Sequence, residues 1–79
     1  MQEEINRLRW QCRRGMLELD LLLLSFFDKD YLDLSDTNKA LFEQLLSYHD
    51  QDLYQWLIQR KPVVDPLLQR LVESIVRGH

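Results

Sequence analysis

Residue types and spacing converge on recognition chemistry in a single segment of this sequence, Arg13-Arg14-Gly15-Met16-Leu17-Glu18-Leu19-Asp20. Arg14 supplies a planar fork of donors suited to carboxylates or backbone carbonyls. Gly15 leaves the backbone open to close approach and to left-handed conformations. Glu18 follows Arg14 by four residues, so the two share one side wherever the local backbone is helical. It also falls in the first turn of a following helix, where a negative charge is favoured. Trp10 lies off the neighbouring apolar stripe, and an exposed tryptophan suits an interface anchor. From the residues alone two readings stand. The plain one is a helix-ending glycine beside a surface ion pair. The functional one is a contact face for a partner.

Catalytic and metal chemistry find no support elsewhere. Cys12, His49 and His79 do not provide the roughly four ligands of a tetrahedral zinc site at any recognised spacing. Ser25, Ser35, Ser47 and Ser74 have no histidine and acid at suggestive spacing. A lone Gly15 cannot make a phosphate loop. His49 reads as a surface or capping residue beside Asp50, and His79 is expected to be disordered. Asp50 and Asp52 read as a helix start. No base, nucleophile or metal set is visible, so an enzyme is not expected.

The elements that position the segment are helical. The spacing predicts a first helix over about 3–14, with Ile5, Leu8 and Cys12 on one stripe, ended by Gly15. A second is predicted over about 16–30, with Leu17, Leu21 and Leu24 on one face and further apolar residues around the rest, so it should be central. Ser35 or Asp36 caps a third, over about 36–48. Asp50 is expected to cap a fourth, which Arg60-Lys61-Pro62 stops. Asp65-Pro66 starts a fifth, with a stripe through Val64, Leu67, Leu68, Leu71, Val72, Ile75 and Val76. The expectation is an all-α, compact bundle of about five short helices, with residues 1–79 as a single helical domain.

Composition bounds the partners. The net charge of −3 speaks against nucleic acid, which demands a basic face. Charge is nonetheless segregated: Arg7, Arg9, Arg13 and Arg14 precede an acidic stretch from Glu18 to Asp36. This distribution reads as solvated helix faces or as an electrostatically selective docking surface. The Leu21–Phe27 run is far shorter than the ~20 residues that span a bilayer, and Asp20 and Asp28 close it, so no membrane insertion is expected. No secretion signal is apparent, and the single Cys12 fits a reduced compartment.

Trp10-x-Cys12-Arg13-Arg14-Gly15-Met16-x-Glu18-Leu19-Asp20 resembles the signature of the succinate dehydrogenase assembly factor family, also called FAD assembly factors, which the RGxxE motif defines. Phe26-Phe27, Leu34-Ser35-Asp36, Phe42-x-x-Leu45-Leu46 and Asp50-x-Asp52-Leu53-x-x-Trp56-Leu57 extend the resemblance over roughly residues 5–77. It implies a five-helix bundle that binds the flavoprotein subunit of succinate dehydrogenase, or of fumarate reductase. Such proteins promote covalent attachment of FAD to a histidine of that subunit. The resemblance carries partner contact to Arg14, Gly15 and Glu18, with Asp20 secondary. Tight binding of FAD by the chain itself is not expected, since a dinucleotide-binding fold is missing. Eukaryotic relatives carry a mitochondrial presequence, so the resemblance implies a bacterial, cytoplasmic member. An antitoxin-like interaction module paired with a membrane-associated toxin, discussed for some relatives, is the alternative.

Overall fold

The computed structural model describes residues 2–78. Five α-helices follow one another: α1 Gln2–Gln11, α2 Leu17–Asp30, α3 Asp36–Leu46, α4 Asp50–Leu57 and α5 Pro66–Arg77. A 3-10 turn, Tyr31–Asp33, joins α2 to α3, and no strand occurs among the described residues. The all-α expectation is therefore met. His79, expected to be disordered, lies outside the described residues.

The helix starts follow side-chain chemistry. Ser35 Oγ accepts the Asn38 N–H at 3.2 Å and caps α3. Asp65 accepts the Leu67 N–H at 2.9 Å and caps α5, with Pro66 at its first position. The fourth start differs from expectation. His49 is the cap residue of α4 and makes no side-chain cap bond, while Asp50 is the first helical residue. The Asp50 carboxylate is engaged by Arg14 instead.

Three helices end earlier than their apolar patterns suggest. α1 stops at Gln11 because the Cys12 and Arg13 N–H groups bond the Arg9 and Trp10 carbonyls, tightening the last turn. α3 stops at Leu46, and the Ser47 and Tyr48 N–H groups close similar three-residue turns. α4 stops at Leu57, and the chain reverses through Arg60 at φ 62°, with the Lys61 N–H on the Gln55 carbonyl at 2.8 Å.

The core draws on every helix. Leu19, Leu23, Phe26 and Phe27 of α2 meet Phe42 and Leu45 of α3, Leu53 and Leu57 of α4, and Leu68 and Ile75 of α5. Phe27 stacks on Tyr31 with ring centroids 4.7 Å apart, and both lean on Phe42. The buried face of α2 is therefore the 19-23-26-27 stripe. Leu17 and Leu21, expected inside, are exposed. α5 packs against α2, α3 and α4 and shares the central position expected for α2 alone. Ahead of α5, Val63 is buried and donates its N–H to Gln69 Oε1 at 2.7 Å, while Val64 and Leu67 face solvent. α1 adds Leu8, and just beyond it Cys12 is fully buried. Arg9 of α1 and Asp28 of α2 form a two-pronged surface ion pair at 3.0 and 3.1 Å.

Candidate functional site

The loop between α1 and α2 is shaped by an inward-turned arginine. Arg14 Nε donates to Asp50 Oδ1 at 2.7 Å. Nη1 donates to the carbonyls of Gln11 and Leu46, each at 3.0 Å, and Nη2 to that of Tyr48 at 2.7 Å. Gln11 and Leu46 are the last residues of α1 and α3. Their carbonyls lack intrahelical partners, and the negative ends of both helices favour a cation there. Asp50 sits in the first turn of α4, where its charge is favoured in turn. One guanidinium thus joins the ends of two helices to the start of a third, and the side chain is only 15% exposed.

Asp20 holds the same loop from the other side. It lies in the first turn of α2 and reaches back to the preceding residues. Its carboxylate accepts the Arg14 N–H at 2.7 Å, the Gly15 N–H at 3.1 Å and, more weakly, the Met16 N–H at 3.4 Å. Met16, the cap residue of α2, offers no side-chain cap, so Asp20 satisfies donors that would otherwise face solvent alone. Between these two anchors Gly15 adopts φ +82°. A Cβ built there meets no atom within 4 Å. Glycine at this position therefore answers to backbone conformation, and the space above it is open on the outer surface.

The remaining motif residues point outward. Arg14 does not pair with Glu18, because the left-handed turn at Gly15 interrupts the helical path that four-residue spacing presumes. Glu18 is exposed and has no hydrogen-bond or ion-pair partner among the described residues. Trp10 is 70% exposed, as its off-stripe position suggested, and the Arg13 guanidinium lies 5.7 Å from the centre of its ring. Leu17 and Leu21, one turn apart on α2, are 76% and 59% exposed. The surface around Gly15 therefore combines an aromatic, two leucines, an arginine and a free carboxylate.

No group of three metal-ligating side chains occurs among the described residues. Cys12, the one thiol, is buried against the Leu8 carbonyl at 3.4 Å, and burial, with a smaller contribution from Asp28, pushes it up to about 12. It is protonated and unreactive at neutral pH. Among the described residues no helix is long and apolar enough to cross a membrane.

Of the residues singled out by sequence reasoning, the structure bonds Arg14, Gly15 and Asp20 into one network and leaves Trp10 and Glu18 exposed on the flanking helices. Sequence reasoning missed the partners of Arg14, three of which lie 32 to 36 residues along the chain. It also placed Leu17 and Leu21 inside. The all-round apolarity of α2 was the available signal, because so small a bundle has too few neighbours to cover every side of one helix.

Comparison with known proteins adds a consistent picture. The sequence model of the Sdh5 family, described as flavinator of succinate dehydrogenase, matches residues 6–79. The FAD assembly factor SdhE of Pseudomonas putida is 48% identical over 75 residues, covering 95% of this chain and 89% of the relative. The protein of that name from Shewanella oneidensis is 50% identical over 74 residues, covering 94% and 89%. That from Pectobacterium atrosepticum is 41% identical over 70 residues, covering 89% and 80%.

Proposed function

Because this chain belongs to the family described as flavinator of succinate dehydrogenase, it is an FAD assembly factor, and we propose that it docks the surface around Gly15 on its flavoprotein client. Its role in flavinylation of succinate dehydrogenase is that of a chaperone-like factor and not of a catalyst. The client is the flavoprotein subunit, with that of fumarate reductase as a second. In this reading the factor acts in the cytoplasm.

The observation that carries this reading is the exposed, left-handed Gly15, held from inside by Arg14 and Asp20 with nothing above it. Covalent attachment of a flavin is chemistry that the flavin and a client histidine supply between them. A helper need only favour the client conformation that aligns the two, since proximity and orientation lower a barrier by several kcal/mol, roughly 7–11 in the best cases. It shifts the client only by binding that conformation better than the alternatives. In this division of labour Arg14 and Asp20 are positioning residues that set the loop. Gly15 admits the client backbone, Trp10 anchors, and Glu18 contributes a directional polar contact. FAD belongs to the client and is not held tightly by this chain.

The test is to delete the gene and measure covalent flavin fluorescence on the denatured succinate dehydrogenase flavoprotein band. Complementation with the wild-type chain restores the signal. Glu18→Ala restores it less well than Glu73→Ala, whose carboxylate lies on α5 bonded to Gln69. Equal restoration by the two variants would remove Glu18 from the contact. Undiminished fluorescence in the deletion strain would overturn the assignment.

A further inference from the structure

A contact limited to Gly15 and its immediate flanks is too small for a stable complex. Specific interfaces bury about 800 Å² per partner and engage some 20–30 residues a side. The surface needed for that must continue away from the loop. One path is built for it. Glu18, Leu22, Ser25 and Lys29 recur at helical spacing along one side of α2. Together with Leu57, Ile58 and Arg60 at the end of α4 they line an open groove of about 680 Å³. Leu21 stands on its rim, exposed, and Leu17 lies one turn nearer Gly15.

The groove is electrically polar along its length. Glu18 holds the end beside Gly15, while Lys29 lies eleven residues on, about 16 Å at 1.5 Å per residue. Arg60 enters from the opposite wall, its side chain placed by the left-handed backbone that ends α4. Glu18, Lys29 and Arg60 are all exposed, and none has a hydrogen-bond or ion-pair partner among the described residues. Between the poles the lining is mainly apolar, with Leu22, Leu57 and Ile58 beside Ser25.

We propose that the flavoprotein client lays a segment along this groove, continuous with its contact at Gly15. The segment presents a cation toward Glu18, apolar side chains over Leu21 and Leu22, and carboxylates toward Lys29 and Arg60. The proposal rests on the docking assignment made above for Gly15. It extends that assignment by naming the direction of the interface and the order of charges on the client. Burial of the leucines holds the complex together, and the poles orient the encounter.

The experiment measures association and dissociation of the purified chain with the purified apo-flavoprotein subunit of succinate dehydrogenase, at two salt concentrations. Leu21→Glu weakens binding about tenfold or more, mainly through faster dissociation. Lys29→Glu slows association severalfold at low salt and reduces the dependence on salt. Glu73→Ala, on another face, binds as wild type. Leu21 and Lys29 are exposed, so circular dichroism spectra stay unchanged. If Gly15→Arg loses binding while Leu21→Glu and Lys29→Glu bind like wild type, the groove is refuted and the Gly15 docking stands. If the wild-type chain fails to bind, or Gly15→Arg binds equally well, the docking assignment falls and the groove with it.

Discussion

Replacing Arg14 separates a residue that touches the client from one that shapes the surface the client meets. Its guanidinium serves four acceptors: the Asp50 carboxylate and the carbonyls of Gln11, Leu46 and Tyr48. The Asp50 pair alone contributes little, about 0–1 kcal/mol, because Asp50 is 47% exposed. The carbonyls matter more. Each part-buried acceptor left without a donor costs about 1–3 kcal/mol, less where water replaces the lost bond. Arg14→Ala therefore destabilises the chain by about 2–4 kcal/mol. Domains of this size draw roughly 3–5 kcal/mol from their core. At about 4–8 °C per kcal/mol, the melting temperature falls by roughly 10–30 °C. Arg14→Lys keeps the charge but cannot fork to four acceptors, so it loses about half as much. Thermal melts by circular dichroism read these shifts, and client binding is then measured well below each variant's midpoint. Binding recovers in part on cooling, because the side chains assigned to the contact, Trp10 and Glu18, are retained and only the tie that orders the loop between them is lost. A variant Arg14→Ala that melts within about 2 °C of wild type while losing the client entirely would refute the latch and make Arg14 a contact residue.

Other perturbations probe the neighbouring features. Gly15→Arg abolishes client flavinylation while the helices persist. The left-handed φ of +82° costs an ordinary residue about 1–2 kcal/mol, so the melting point drops by roughly 5–15 °C, and Gly15→Asn, which tolerates that conformation, drops less. Full flavin fluorescence with Gly15→Arg would sink the assignment. Cys12, held at about 12, has a thiolate fraction of about one in ten thousand at pH 8, so a thiol reagent labels the native chain roughly a thousandfold more slowly than the chain in guanidinium. Comparable rates in the two states would contradict its burial. The hydrogen bond from Arg9 holds the Asp28 carboxyl below the usual carboxylate range. Its contribution to stability is present above the unfolded value of about 3.9 and is lost as pH falls through the lower folded value. Asp28→Asn therefore flattens the acid side of a melting-temperature profile below about pH 4, and an unchanged slope would show the pair to be inert.

Local chemistry made much of the fold readable. Asp65-Pro66 and Ser35 announced their helices because a cap is a short-range device whose parts lie within three residues. Gly15 announced the junction for the same reason. Asp50 misled, because a carboxylate at a helix start has two outlets, and the choice between cap and ion pair is made by Arg14 from a distant part of the chain. The pairing of Arg14 with Glu18 failed on one dihedral, since four-residue spacing means proximity only in an unbroken helix. For Leu17 and Leu21 no periodicity argument sufficed. A helix apolar on every side does not say which side its neighbours leave uncovered, and only the packing of α4 and α5 decides that.

The Arg14 tie also has a consequence in time. It closes loops of 32 to 36 residues, alongside core contacts that join α2 to α4 and α5 and α3 to α5. Closing a long loop is entropically unfavourable and slow relative to helix formation. A nascent chain still lacking Asp50 therefore carries the RGxxE letters without the shape they encode. Competence to dock therefore arrives together with the long-range packing of the core, and the factor meets its client only after its own fold is complete.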